Sequence, residues 1–266
     1  MDLLKRNLAP ITDEGWEEID ETAREVLYTH LSARRFVDVS EPQGWEFSAL
    51  PQGRLEIQKQ TENDEVNFGI RKNLPVVETR LSFDLEIWEL DDIVRGAEDI
   101  DLDPLEEAVE KAARFEEKAL YSGLEEGCIE GLREASALSL KMEPNPQGIL
   151  QTLSEGVATF RDQSIEGPYY LVVNRRSWQD LNAFTKGYPL KRQTRDLLDA
   201  PIIYSQNVED PLLLSGRGGD FELTLGKDFS IGYQNHDKQT VTLFVTESFA
   251  FRVLEPAAVI ALETTE

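Results

Sequence analysis

The residue types that could do chemistry are unevenly supplied in this chain. There are 51 Asp plus Glu, but only two histidines, His30 and His236, and one cysteine, Cys128. Abundant carboxylates are not a constellation. General acid–base work needs two groups in one pocket with pKa values pushed apart, and no spacing in the sequence singles out such a pair. Neither histidine stands in a catalytic motif, and no G-x-S-x-G nucleophile elbow occurs. Cys128, between Gly127 and Ile129, lacks nearby cations to lower its pKa and reads as a small core residue. A lone cysteine excludes an intrachain disulfide and a thiolate metal cluster, which fits a reducing cytoplasm. Gly216-Arg217-Gly218-Gly219-Asp220 lacks the lysine and helix start of a phosphate loop. A strand-like run follows it, so a tight turn explains its glycines. These residues point away from an enzyme.

The elements that would position any site follow from periodicity. Residues 11 to 33 predict a helix: Trp16, Ile19, Ala23, Val26, Leu27 and Leu31 recur at the helical period behind Thr12, with Asp13 and Glu14 in the first turn. Residues 44 to 74 predict a hairpin with one apolar face, its alternating runs 54–58 and 66–70 flanking the polar stretch 59–65. A two-stranded hairpin is marginal alone, so that face must lean on its own domain or on a neighbouring subunit. From residue 77 to 87, Val77, Thr79, Leu81, Phe83, Leu85 and Ile87 share one face of a strand, opposite Glu78, Arg80, Ser82, Asp84 and Glu86. Trp88 either continues the register onto the polar face, as an interface anchor or stacking platform, or turns back into the core.

Asp103-Pro104-Leu105-Glu106 opens a long helix that ends at Ser122-Gly123. Its buried stripe is Leu105, Ala108, Val109, Ala112, Phe115, Ala119 and Leu120, and the acids between 98 and 126 read as a solvated face. Beyond Gly131 the pattern is mixed α/β. Helices are expected over 146–160, 175–184 and 190–198. Strands are expected over 169–174, 202–204, 212–215, 221–225 and 259–262, with one long strand over 241–254.

Composition bounds the rest. At 266 residues with 40% hydrophobic side chains, the chain can build one large domain or two ordinary ones and is not globally disordered. A formal net charge of −24 disfavours nucleic acid and anionic membranes as partners. Apolar stretches such as 169–173 are far short of the roughly 20 residues that span a bilayer. The start MDLLKRNLAP has no apolar signal-peptide core, so a cytoplasmic location is expected.

Several blocks resemble the encapsulins, nanocompartment shell proteins of bacteria and archaea once catalogued as linocin-type bacteriocins. The resemblance starts with MDLLKRNLAPIT, the following helix and Arg34-Arg35-Phe36-Val37-Asp38-Val39. It continues through Gly44-Trp45-Glu46, Ile70-Arg71-Lys72, Leu90-Asp91-Asp92, Arg95-Gly96 and Glu166-Gly167-Pro168-Tyr169. It closes with Gly187-Tyr188-Pro189, RGGDFELTLGKDFSIGY from Arg217 and LFVTESFAFRVLEP from Leu243. The resemblance implies an α+β fold, that of the tailed-bacteriophage major capsid protein of Hong Kong 97 type. The N-terminal helix and arm of a peripheral domain would then occupy 1–43, an extended loop 44–76, and the peripheral domain with its spine helix 77–131. An axial domain would occupy 132–216, and C-terminal strands of the peripheral domain 217–266.

The same resemblance implies a function without catalytic residues: a self-assembling subunit of an icosahedral shell of roughly sixty copies. Such shells enclose ferritin-like or peroxidase cargo, for iron storage or oxidative-stress defence, captured through a C-terminal targeting peptide on the cargo. The positions that match the peptide site are Leu27, Leu31, Arg34, Phe36, Asp38, Asp228, Ile231 and Tyr233. Those that match a five-fold pore are Lys186, Gly187, Tyr188, Pro189 and Lys191. Some members hold a flavin on a tryptophan in this context, which extends an expectation of FMN or another flavin to Arg80, Leu81, Ser82, Trp88 and Asp91. No metal is expected in the shell itself. The alternatives are a flavin-binding redox protein that also assembles, and a phage-type capsid protein.

Overall fold

The computed structural model describes residues 3–58, 66–182 and 189–264. After a short N-terminal arm, α1 runs Asp13–His30, started by the Thr12 hydroxyl accepting from the Gly15 N–H. Then follow β1 (Asp38–Val39), β2 (Ala49–Ile57), β3 (Gly69–Pro75), β4 (Val77–Glu86), α2 (Ile87–Arg95), α3 (Asp103–Ser122), α4 (Leu132–Ala135) and β5 (Leu138–Met142). The second half contains α5 (Pro146–Asp162), β6 (Tyr169–Val173), α6 (Arg175–Asn182), α7 (Leu190–Leu198), β7 (Ile202–Tyr204) and β8 (Leu212–Ser215). It closes with the long strands β9 (Phe221–His236) and β10 (Thr240–Val253), and with β11 (Val259–Thr264).

The strands form a four-stranded sheet in the order β1-β9-β10-β4, a five-stranded sheet in the order β5-β11-β8-β6-β7, and the pair β2-β3. Ile19 and Ala23 of α1, with Leu105, Val109 and Ala112 of α3, bury against Phe83, Leu85, Ile231, Leu243 and Val245 of the first sheet. A larger core joins Ile149, Leu153, Val157 and Phe160 of α5 to Leu171, Leu213 and Ile260 of the second sheet. Among the described residues, no helix is long and apolar enough to cross a membrane.

Several expectations are corrected. The β4 alternation holds, but the strand stops at Glu86. Ile87 starts a helix with Leu90 buried and Gly96, at φ +88°, as its cap. Trp88 therefore neither continues the strand nor enters the core; it stands on α2, 66% exposed. Ile87, Leu90 and Ile93 carry a helical spacing that the preceding alternation masks. The hairpin does not have one apolar face. Leu55 opposes Arg71 and Ile57 opposes Gly69, while Ile70 opposes Glu56, and opposed residues share a face. Leu55 and Ile57 thus face one side and Ile70 the other. The stretch 59–65 lies outside the described residues.

β11, expected with the C-terminal strands of 217–266, lies in the other sheet between β5 and β8. β5 itself was not expected, and β9 runs well beyond residue 225. Cys128 is exposed, held at φ +53° after a turn of 3-10 helix, and is no core residue. Phe115 is 39% exposed, whereas the neighbouring Glu116 and Glu117 are fully buried and so form no part of a solvated face. The turn before β9 is as expected, with Gly218 and Gly219 at φ +82° and +80°.

Candidate docking groove

α1, the turn that follows it, β9 and β10 meet around an open cavity of about 670 Å³, within the range typical of ligand sites. Leu27, Leu31, Ile231 and Val245 supply its apolar lining. Leu27 faces the groove because it sits one turn beyond Ala23 and two beyond Ile19, on the edge of the buried stripe. Leu4 of the N-terminal arm closes one end, where its carbonyl accepts from the Tyr233 N–H at 2.8 Å.

Arg34 stands between this lining and a buried acidic cluster. Its guanidinium donates through Nε to Glu116 at 3.0 and 3.2 Å and through Nη2 to Glu116 at 2.5 Å. It also donates to Glu247 at 2.6 Å and to Asp228 at 2.9 Å. Glu116 and Glu247 are fully buried, Asp228 only partly. Burial opposes the charge of Arg34, but the Glu116 hydrogen bond and the charges of Glu116, Glu247 and Asp228 outweigh it and hold the pKa above its usual range. Burial pushes Glu247 well above the carboxylate range; Glu116 adds to this and Arg34 opposes it. Among the described residues its Oε2 has no hydrogen-bond partner. The β9–β10 ladder shifts register on both sides of Ser248, and such bulges re-aim side chains. That irregularity accompanies the inward turn of Glu247.

One step deeper, Glu117 of α3 accepts from the Ala33 N–H at 2.8 Å, from the Ser205 hydroxyl at 3.2 Å and from the Ser32 hydroxyl. It fastens the turn that aims Arg34. Burial pushes its pKa up to about 7, with Glu116 adding and the hydrogen bonds from Ala33 and Ser32 opposing. Periodicity did not single out Glu116, Glu117 or Glu247. For Glu116 and Glu117 the one available signal was their place between Phe115 and Ala119 of the helix stripe; Glu247 stood within the expected strand 241–254 with no such signal.

Of the expected peptide-site residues, Leu27, Leu31, Arg34, Asp228 and Ile231 come together in the groove. Phe36 does not line it: the ring is buried 6.2 to 6.4 Å from those of Tyr121, Tyr170 and Phe221. Asp38 accepts from the Gly219 N–H at 2.6 Å and ties β1 to the turn before β9. Tyr233 packs beside the core, its hydroxyl 2.6 Å from His236 Nδ1. Of the pore residues, Lys186, Gly187 and Tyr188 lie outside the described residues. Pro189 precedes α7, and the Lys191 ammonium stands 3.9 Å over the Trp178 ring.

The flavin set is split between elements. Arg80 lies on β4 with its guanidinium 3.6 Å over Phe244, and Ser82 donates to Gln234 at 2.9 Å. Leu81 packs against the core under the first sheet. Trp88 and Asp91 are on α2, where Arg95 sits 5.5 Å over the indole and pairs with Asp91 at 3.4 Å. Within one subunit these residues do not fit an enclosed flavin site; they offer one exposed indole.

A family model described as "Encapsulating protein for peroxidase" matches residues 1–250. A type 1 encapsulin shell protein from Rhodospirillum rubrum is 40% identical, over 98% of this chain and 96% of that protein. One from Rhodococcus erythropolis is 35% identical, over 97% and 98%. Among solved structures, a virus-like particle from Pyrococcus furiosus superposes with a TM-score of 0.67 at 18% identity, covering 93% of this chain and 98% of that one. The capsid of Myoviridae phage XM1 gives 0.57 at 10% identity, covering 88% and 92%.

Proposed function

The chain belongs to the type 1 encapsulin shell-protein family, and from that premise we propose that roughly sixty copies close into a cytoplasmic icosahedral shell that captures cargo enzymes by a C-terminal tail. As a family member with the capsid fold, the protein is a subunit of a capsid-like compartment. The cargo reading is carried by one observation: an open groove in which apolar Leu27, Leu31 and Ile231 surround the half-buried Arg34. Such a groove fits an extended segment with aliphatic side chains, each worth about 1.5–3 kcal/mol when fully buried. The cargo would be a peroxidase or a ferritin-like iron oxidase, serving oxidative-stress defence or iron storage, with the shell contributing no catalysis of its own.

Negative-stain microscopy with light scattering on the protein expressed alone tests the assembly. A uniform hollow particle near sixty subunit masses is expected, and a stable monomer or dimer would overturn it.

The exposed Trp88 indole favours one addition, an FMN or other flavin stacked at a subunit junction. Purified shells would then be coloured, and Trp88→Ala shells colourless. Native shells without flavin absorbance remove this reading.

A further inference from the structure

We propose that the groove selects an acidic tail, one whose aliphatic side chains are flanked by aspartate or glutamate, laid as an added strand along β9 at residues 228–232. This rests on the reading of the groove as the cargo-docking site and names the chemistry of what it takes.

The charge around the groove runs against that of the molecule. In a chain of net charge −24, its lining includes Arg6, Arg24, Arg34, Arg35 and Lys227 but only two carboxylates, Asp20 and Asp228. Both carboxylates are already engaged, Asp20 by Arg6 at 2.8 Å and Asp228 by Arg34 at 2.9 Å. Arg24, Arg35 and Lys227 have no ion-pair partner among the described residues, and Arg35 stands 6.0 Å over the exposed Tyr28 ring. The charge left facing an occupant is positive, and complementary charge at a rim sets partner choice.

The backbone adds an open strand edge beside these cations. The outer edge of β9 is covered at its start, where Leu223, Leu225 and Gly226 accept from Ser40, Gln43 and Gly44. It is covered again at Tyr233, which donates to Leu4. Between them, among the described residues, no other segment makes a backbone hydrogen bond to that edge at 228–232; locally the Phe229 N–H donates to the Asp228 carboxylate and the Asp228 carbonyl accepts from the Ser230 hydroxyl, both at 2.8 Å, so the open stretch centres on Ile231. Because the Tyr233 N–H points outward, strand alternation puts the N–H and C=O of Ile231 on the same open edge. An extended peptide can pair there while its alternate side chains reach the apolar lining. Its acidic flanks then meet Arg24, Arg35 and Lys227.

The test co-expresses the full chain with a fluorescent protein bearing one of two tails of identical leucine and isoleucine spacing, flanked either by Asp and Glu or by Lys. Fluorescence per purified shell is read against a tailless control. The acidic tail should load about tenfold more, the effect of a few exposed ion pairs, and the margin should shrink in high salt. In the Arg24→Glu, Arg35→Glu, Lys227→Glu shell the preference should invert; should that variant not assemble, the native comparison still decides. Equal loading of both tails, or more of the lysine tail, overturns acidic selection while the docking reading stands. Loading of neither tail, or loading undiminished in Leu27→Asn shells, overturns the docking reading and this proposal with it.

Discussion

Glu117 makes the stability of the fold depend on pH. Its carboxyl is pushed from 4.5 up to about 7 by burial, so the folded chain binds that proton more tightly than the unfolded one. The stabilisation is fully present below 4.5 and is lost as pH rises through 7, in total about 3 kcal/mol. Glu247, displaced in the same direction, adds to the fall. Urea unfolding midpoints should therefore drop between pH 5 and pH 8. Glu117→Gln, which can still accept from Ala33 and donate to Ser32 and Ser205, should flatten part of that slope. An unchanged slope would mean that the carboxyl does not hold its proton in the folded subunit. None of this was legible in the sequence. Arg34 could be picked out by resemblance, but its partners come from α3 and from an irregular stretch of β9–β10, more than 80 and more than 190 residues away.

At the scale of elements, the legible features were those with long, clean periods: α1, α3, α5, the β4 alternation and the closing strand β10. The missed ones were short or carried mixed signals. In α2 the apolar spacing of Ile87, Leu90 and Ile93 begins inside the strand pattern, and β5 is a five-residue strand whose parallel partner β11 lies more than 100 residues away. The hairpin was legible as a hairpin but not in its register, because odd-numbered residues of β2 oppose odd-numbered residues of β3, which puts Leu55 and Ile57 on the face opposite Ile70. With Ile57 75% exposed on one face and Phe68 56% exposed beside Ile70 on the other, neither face is covered by its own subunit. In the shell, both faces should be buried. Ile57→Asp and Phe68→Asp should each abolish particles in light scattering while leaving far-ultraviolet circular dichroism unchanged. A variant that still forms full shells would show that its face stays in solvent.

For the whole molecule, assembly sets apolar burial against charge. Every subunit brings −24, so closing a shell concentrates like charge, and self-repulsion grows with the number of neighbours. Some of the cations that could offset this are already paired within the subunit, as in Lys111–Glu107, Arg114–Glu110 and Arg133 with Glu209 and Asp210. The exposed apolar residues of the hairpin are left as the adhesive, and apolar burial does not weaken with added salt. Repulsion does weaken, since the screening length falls from about 30 Å at 0.01 M to about 3 Å at 1 M. The subunit concentration at which particles appear should therefore fall as sodium chloride rises over that range. Light scattering across a dilution series at each salt concentration measures it directly. Shells that loosen as salt rises would place the cohesion in ion pairs between subunits rather than in the hairpin, and would shift attention to the cations around the groove and on α7.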